Sequence, residues 1–194
     1  DFILKMRLHL AGNTTRYKQE QLLVHKLNTT VVDILKQDWP HRWPSFVADL
    51  VQSCQASDSV CHCNLNLLSR LSEEIFDYRS ERLTAMKVAQ LKQSLTAEFT
   101  QVFQLLLSLL LTSQDPDILL EALRTVLCFL TWIPEGYIFD EGLIEVLLFK
   151  FLPDARYRLV TVQCLTEVAG MDPTKGFQYA PHFSQMFVAV VFQL

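Results

Sequence analysis

The stretch "ILKQDWPHRWPSFVADL", residues 34–50, interrupts helical sequence with two Trp-Pro dipeptides in close succession. Proline cannot continue a helix, because its ring clashes with the preceding turn and its nitrogen has no hydrogen to donate. Pro40 therefore predicts the end of one helix, and Pro44, with its fixed φ, suits the first turn of the next. Trp39 and Trp43 flank this corner, where large aromatic rings can fill the wedge between successive helix pairs.

A second corner of the same kind is expected in "LTWIPEGYIF", residues 130–139. Trp132 is predicted to end one helix, and Pro134 to begin the turn. A tryptophan beside a proline could instead form a platform for a bound peptide. Because apolar helices flank both corners, the sequence favours structural packing over peptide binding.

Apolar residues recur three or four positions apart along nearly the whole chain, and no stretch alternates convincingly with a period of two. This spacing predicts an all-α fold with amphipathic helices at 17–39, 44–55, 60–78, 83–112, 117–133, 137–152, 155–169 and 177–194. Pairs of these helices recur about every 40–50 residues, which is typical of HEAT-type solenoids. The predicted repeats are 1–39, 43–78, 83–133, 135–170 and an incomplete 177–194. An irregular helix bundle is the alternative.

Composition and charge exclude several classes of protein. The 194 residues are 50% hydrophobic, with few glycines and prolines, which favours a packed chain over a disordered one. A net charge of -4 without clustered Lys and Arg argues against direct nucleic-acid binding. The apolar run at 102–111 is about half of the roughly 20 residues that cross a membrane, so we expect a buried helix and no membrane contact. The start at Asp1 rather than Met suggests a segment of something longer.

The only cluster of metal-ligand types is "CHCN", residues 61–64. Successive side chains on a helix point about 100° apart, so Cys61, His62 and Cys63 cannot converge on one zinc ion. The sequence contains no Gly-rich phosphate loop and no recognisable catalytic pairing of histidine. We therefore predict no metal, no cofactor and no enzyme activity. A thiol or metal enzyme built around Cys61 and Cys63 remains the alternative from another functional class.

Four motifs in order carry a family resemblance: "KLNTTVVDILKQDWPHRWPSFVADLV" at 26–51, "LSEEIFDY" at 71–78, "FLTWIPEGYIFD" at 129–140 and "CLTEVAG" at 164–170. Together they resemble the N-terminal part of the exportin-1 family of nuclear export receptors, in the importin-β superfamily. The resemblance implies a long HEAT-repeat ring in which this chain forms about the third to the start of the seventh repeat. The second helix of each repeat would then line the concave surface.

The resemblance also implies a function. Such receptors shuttle between nucleus and cytoplasm through the nuclear pore, carrying proteins with leucine-rich export signals together with Ran-GTP and contacting nucleoporins. This segment would act mainly as scaffold, with an edge of the Ran surface on helix 17–39. By helix geometry alone, the candidate exposed contacts are Lys18, His25, Asp33 and Lys36. A HEAT scaffold serving a non-transport assembly is the alternative.

Overall fold

The computed structural model describes residues 2–76, 84–171 and 179–193, and these residues form helices and connecting turns without a strand. Among the described residues, the apolar stripes lie on helices. The helices are α1 (Phe2–Ala11), α2 (Thr14–Gln19), α3 (Gln21–Asp38), α4 (Phe46–Ser53), α5 (Asp58–Phe76), α6 (Ala85–Thr112), α7 (Pro116–Leu130), α8 (Glu135–Phe139), α9 (Leu143–Val146), a π-helical turn (Leu147–Phe151), α10 (Arg158–Ala169) and α11 (Ala180–Gln193).

The helices lie in two rows that follow the chain. In the second-helix row, which consists of α3, α5, α7 and α10, each helix packs against the next. In the first-helix row, α4 packs against α6, α6 against α9, and the π-helical turn against α11. Contacts between α1 and α3, α4 and α5, and α6 and α7 join the rows. This is the all-α HEAT-repeat solenoid that the helical spacing predicted.

The first corner has the predicted stop, but the two tryptophans do not pack equally. Helix α3 ends at Asp38, and the peptide bond between Trp39 and Pro40 is cis. Trp39 is fully buried in the main core. Trp43, in contrast, is half-buried and packs edge-on against Phe46 with ring centroids 4.9 Å apart. Trp39 thus fills the wedge, and Trp43 covers it from outside.

Pro44 also lies slightly outside its predicted place. Helix α4 begins at Phe46, so Pro44 precedes the first helical turn instead of forming part of it. Asp49 lies in the first turn of α4, and its carboxylate holds the residues that precede the helix. Ser45 Oγ donates to this carboxylate over 2.8 Å, and Trp43 Nε1 donates to it over 3.0 Å.

The second corner lies where the sequence predicted it, although α7 ends before Trp132 and Pro134 ends the turn instead of beginning it. Helix α7 ends at Leu130, and Pro134 is the residue that precedes α8. Trp132 stacks flat on Phe76 with ring centroids 4.0 Å apart, and its Nε1 donates to Ser72 Oγ over 2.8 Å. The indole therefore connects the end of α7 to α5, two elements of the second-helix row.

Two of the predicted helices are divided. The predicted helix 17–39 breaks at Glu20, between α2 and α3. The predicted helix 137–152 breaks after α8, where Gly142 adopts a left-handed conformation with φ of 79°. Side chains with a Cβ rarely adopt that conformation, so the glycine permits the turn between α8 and α9.

Helix α6 is long and apolar enough, by length and composition alone, to cross a membrane. Core helices of water-soluble proteins meet the same two criteria. The buried side chains of α6 form one continuous face toward the core: Leu91, Leu95, Phe99, Val102, Phe103, Leu106 and Leu110.

Candidate partner-binding surface

The candidate surface is the polar side of the second-helix row, where α3, α5 and α7 lie side by side. Helix α5 is buried along most of its length, because it packs between α3 and α7 and also against α4 and α6. Its partly exposed positions recur at helical spacing, so they form a narrow polar line between α3 and α7. That line consists of His62, Asn66 and Arg70.

The four predicted contact residues differ in their surroundings. His25 and Asp33 are exposed on α3, as helix geometry predicted. The expectation that Lys36 is exposed is wrong, because only 9% of this residue is accessible. Lys18 belongs to α2, but its side chain lies outside the described part of the chain.

Lys36 is buried because two carboxylates accept from its ammonium group. Its Nζ lies 2.8 Å from Glu74 Oε2 on α5 and 3.0 Å from Asp33 Oδ1. Burial opposes the charge, but the hydrogen bonds to Glu74 and Asp33 outweigh this effect and raise the pKa of Lys36. Lys36 therefore joins α3 to α5, and the exposed charge at this place belongs to the two carboxylates.

His25 is held by a cation from the neighbouring helix. Arg70 Nη2 lies 2.7 Å from His25 Nδ1, and a guanidinium can only donate, so Nδ1 accepts. Partial desolvation, together with the positive charges of Arg70 and Lys26, lowers the pKa of His25 below its usual value. The imidazole is therefore neutral at physiological pH.

An asparagine network that sequence reasoning missed connects the helices beneath this surface. Arg7 of α1 is buried, and it donates from Nε to Asn28 Oδ1 over 2.7 Å and from Nη2 to Asn64 Oδ1 over 2.6 Å. Asn28 in turn donates to Asn66 over 3.0 Å, and Asn66 to Glu121 of α7 over 3.3 Å. The signal in the sequence was the presence of asparagines at positions that an apolar stripe would otherwise occupy.

His62 continues the polar line toward the N-terminal ends of the helices. Its Nδ1 lies 2.7 Å from the hydroxyl of Tyr17, and its Nε2 lies 3.9 Å from Glu121 Oε2. Arg124 approaches the same carboxylate at 3.7 Å. The surface thus presents alternating basic, neutral and acidic groups, and this pattern suits a polar protein partner better than a polyanion.

The cysteines of "CHCN" are core residues. Cys61 and Cys63 are free and buried. The pKa of Cys61 is raised, first by a hydrogen bond with Cys54 and then by burial, and burial raises that of Cys63. Among the described residues, no group of three or more His, Cys, Asp or Glu side chains could hold a metal ion. This geometry gives no support to a thiol or metal enzyme at Cys61 and Cys63.

The hypothesis of a peptide platform at the first corner has a structural counterpart. Trp43 lies between two surface pockets of about 330 and 390 Å³, both of which also touch Leu4 of α1. The first pocket extends along α4 to Leu50, and the second reaches Ile34 of α3. The half-buried indole thus contributes to the core on one side and to these pockets on the other.

Residues 20–165 match the family described as exportin 1-like protein, which covers well over half of the chain. The chain belongs to the exportin-1-like family. The match includes both Trp-Pro corners and the polar surface of α3, α5 and α7. It also contains three of the four motifs in full, and the motif at 164–170 begins within it.

Relatives in this family match the chain almost from end to end. Exportin-1 of Schizosaccharomyces pombe is 39% identical over 191 residues, which cover 98% of this chain and 18% of that protein. Protein EXPORTIN 1A of Arabidopsis thaliana is 39% identical over 194 residues. Exportin-1 of Drosophila melanogaster is 35% identical over 193 residues. The chain therefore spans about 18% of the length of these exportin-1 relatives.

Proposed function

We propose that this chain is part of a nuclear export receptor that carries proteins with leucine-rich export signals through the nuclear pore together with Ran-GTP. The observation that carries the proposal is the similarity to exportin-1 of three distant species along the whole chain. The receptor's partners would be Ran-GTP, export cargo and nucleoporins, and it would shuttle between nucleus and cytoplasm. Within it, the segment would hold about the third to the start of the seventh repeat.

In the proposed repeat assignment, the units are 1–39, 43–78, 83–133, 135–170 and the incomplete 177–194. Boundaries 1, 78, 83, 177 and 194 lie outside the described residues. The helix pairs α4 with α5 and α6 with α7 support units of this length, because each pair joins the two rows of the solenoid. We expect the segment to act mainly as scaffold, since most of α5 and α7 is buried between neighbouring helices.

The edge of the Ran surface is proposed on α3, at His25 and Asp33. Both side chains are exposed on the row of second helices, and they belong to the polar pattern shared with Arg70 and Glu74. Lys36 would act indirectly, because it fixes the position of the Asp33 carboxylate at 3.0 Å. A mixed polar edge of this kind affects the association rate and the specificity of binding more than the total affinity.

A binding experiment on the full-length receptor tests this surface. His25→Ala and Asp33→Ala should each weaken Ran-GTP binding by about two- to fivefold, the range of one exposed polar contact. Gln104→Ala is the matched control, because Gln104 is exposed on α6 in the other row. If all three variants bind Ran-GTP with the same affinity as the unaltered receptor, α3 is not part of the Ran surface.

The receptor function itself is tested with a fluorescent leucine-rich export-signal peptide. The 194-residue chain alone should not bind it, because the resemblance places the cargo groove outside this segment. The full-length receptor should bind it, and Ran-GTP should tighten that binding, as reciprocal linkage requires. Saturable micromolar binding to the isolated chain would contradict the placement, and a full-length protein that binds neither peptide nor Ran-GTP would contradict the function.

A further inference from the structure

A buried guanidinium lies beneath the contact of α1 with α3 and α5. Arg7 of α1 is only 3% exposed. Its Nε donates to Asn28 Oδ1 over 2.7 Å, and its Nη2 donates to Asn64 Oδ1 over 2.6 Å. Among the described residues, no carboxylate lies within ion-pair distance of Arg7. Buried charges in proteins are normally paired with an opposite charge, so the neutralisation of Arg7 by asparagines alone is unusual.

The guanidinium can form more hydrogen bonds than the asparagines accept. It has more N–H donors than its two bonds to Asn28 and Asn64 use. A carboxylate accepts from two guanidinium N–H groups at once and also supplies the negative charge that an amide oxygen lacks. Arg7 is therefore suited to an additional, anionic acceptor.

A surface pocket makes this guanidinium reachable from solvent. The pocket between α1 and α4 has a volume of about 330 Å³, and both Arg7 and Asn64 line it. Because Arg7 Nη2 donates to Asn64, the charged end of the side chain lies at the pocket wall. The volume is at the lower end of the range of about 300–1,000 Å³ that is typical of small-molecule sites. The remaining wall is mainly apolar, and its apolar side chains are Leu4, Leu8, Trp43, Phe46 and Leu50.

The other charged residues of the lining leave an excess of positive charge. Lys5 and Asp49 also line the pocket. The Asp49 carboxylate accepts from Ser45 Oγ over 2.8 Å and from Trp43 Nε1 over 3.0 Å, so it is engaged by the corner and not by Arg7. With two cations and one carboxylate, the lining is complementary to an anion.

We propose that this pocket binds a small monocarboxylic acid with an apolar body. The carboxylate of the ligand accepts from the guanidinium of Arg7, and the apolar body packs against Leu8 and Trp43. Asn28 and Asn64 already hold the guanidinium in place, so binding requires little further ordering of this side chain.

The pocket lies outside the proposed Ran surface. Its lining comes from α1, the first corner, α4 and one residue of α5, whereas His25 and Asp33 belong to α3. A ligand in the pocket therefore does not compete for the same side chains as a partner at His25 and Asp33. The carboxylate site goes beyond the export function, and either proposal can fail without the other.

Fluorine NMR of the chain labelled with fluorotryptophan tests the site. The three tryptophans give separate signals, which Trp→Phe variants assign. Titration with phenylbutyrate should shift the Trp43 signal saturably, because Trp43 lines the pocket. The signal of Trp132, which stacks on Phe76 at the second corner, should stay unchanged. Phenylbutanol has the same apolar body without the charge and should bind at least about tenfold more weakly.

Three variants identify the group that holds the carboxylate. Arg7→Met should remove the preference for phenylbutyrate over phenylbutanol. Leu8→Glu places a carboxylate beside the guanidinium and should weaken phenylbutyrate binding by about tenfold. Leu8 is 40% exposed, so this substitution does not disturb the core. Leu22→Glu is the matched control, because Leu22 is 77% exposed on α3 and the charge change is the same.

Several results would overturn the proposal. It is wrong if phenylbutyrate leaves the Trp43 signal in place or shifts the signals of all three tryptophans alike. It is also wrong if phenylbutanol binds as tightly as phenylbutyrate, or if the Leu8→Glu chain binds phenylbutyrate as tightly as the Leu22→Glu chain. The two probes and the two glutamate variants decide even if Arg7→Met fails to fold.

Discussion

At the scale of single residues, Trp39 has the largest predicted effect on stability. It is fully buried among core residues, and its indole Nε1 has no hydrogen-bond partner within the described residues. Trp39→Ala should lower the free energy of unfolding by about 3–5 kcal/mol, the usual cost of removing a large buried aromatic. Denaturant titration of the 194-residue chain measures this change.

Two substitutions in the same corner serve as controls for Trp39. Trp39→Phe keeps an aromatic ring and removes the unpaired N–H, so it should cost clearly less than Trp39→Ala. Trp43→Ala should also cost less, about 1–2 kcal/mol, because the ring is half-buried. A larger loss for Trp43→Ala than for Trp39→Ala would reverse the assignment of the wedge residue.

His25 provides a prediction about pH. Its pKa is lowered by partial desolvation and by Arg70 and Lys26, so the unfolded chain binds a proton at this residue more readily than the folded chain. The stability that depends on neutral His25 is therefore complete above about pH 6.5, the unfolded value, and is lost as the pH falls toward the lower folded value. NMR titration should give a pKa below about 6.5 for His25, and Arg70→Ala should raise it. An unchanged pKa in Arg70→Ala would contradict the role of the guanidinium.

At the scale of elements, the polar network should behave as a unit. Asn28→Leu leaves the buried Arg7 with one partner fewer and should destabilise the chain by about 2–4 kcal/mol. Arg7→Met in the same chain should recover part of that loss, because the double variant has no buried charge to satisfy. A double-mutant cycle from unfolding curves measures the coupling. Additive losses would mean that Arg7 and Asn28 stabilise the fold independently.

The sequence predicted the helices better than their contacts. Helical spacing located the helices from α2 to α11, because one apolar face is a local property of a segment, but it did not predict α1. Helical spacing did not predict the break at Glu20. It also did not predict the division near Gly142, because that division depends on the backbone conformation of a single residue. The contact between Arg7 and Asn64 joins residues 57 positions apart, and the burial of Lys36 depends on Glu74, 38 positions away. Periodicity carries no information on such pairs.

At the scale of the whole molecule, helix α11 leaves an apolar side uncovered at one end of the described solenoid. Helix α11 packs on the π-helical turn and buries Met186, but its opposite side is apolar and accessible. In a solenoid each repeat covers its neighbour, and the exportin-1 relatives are several times longer than this chain. The accessible apolar side of α11 is therefore suited to packing against another helix.

The isolated 194-residue chain should consequently self-associate through α11. Phe187 and Val188 are 54% and 56% exposed, and Val191 and Phe192 are 76% and 86% exposed, which makes one contiguous apolar edge. Sedimentation velocity over increasing concentration should show growth of species larger than a monomer. Val191→Lys combined with Phe192→Lys should shift the chain toward monomer, because two ammonium groups would have to be desolvated in the contact. Phe2→Lys at the opposite end is the control, since Phe2 is 76% exposed on α1. A chain that stays monomeric, or one that only Phe2→Lys makes monomeric, would show that α11 is not the associating surface.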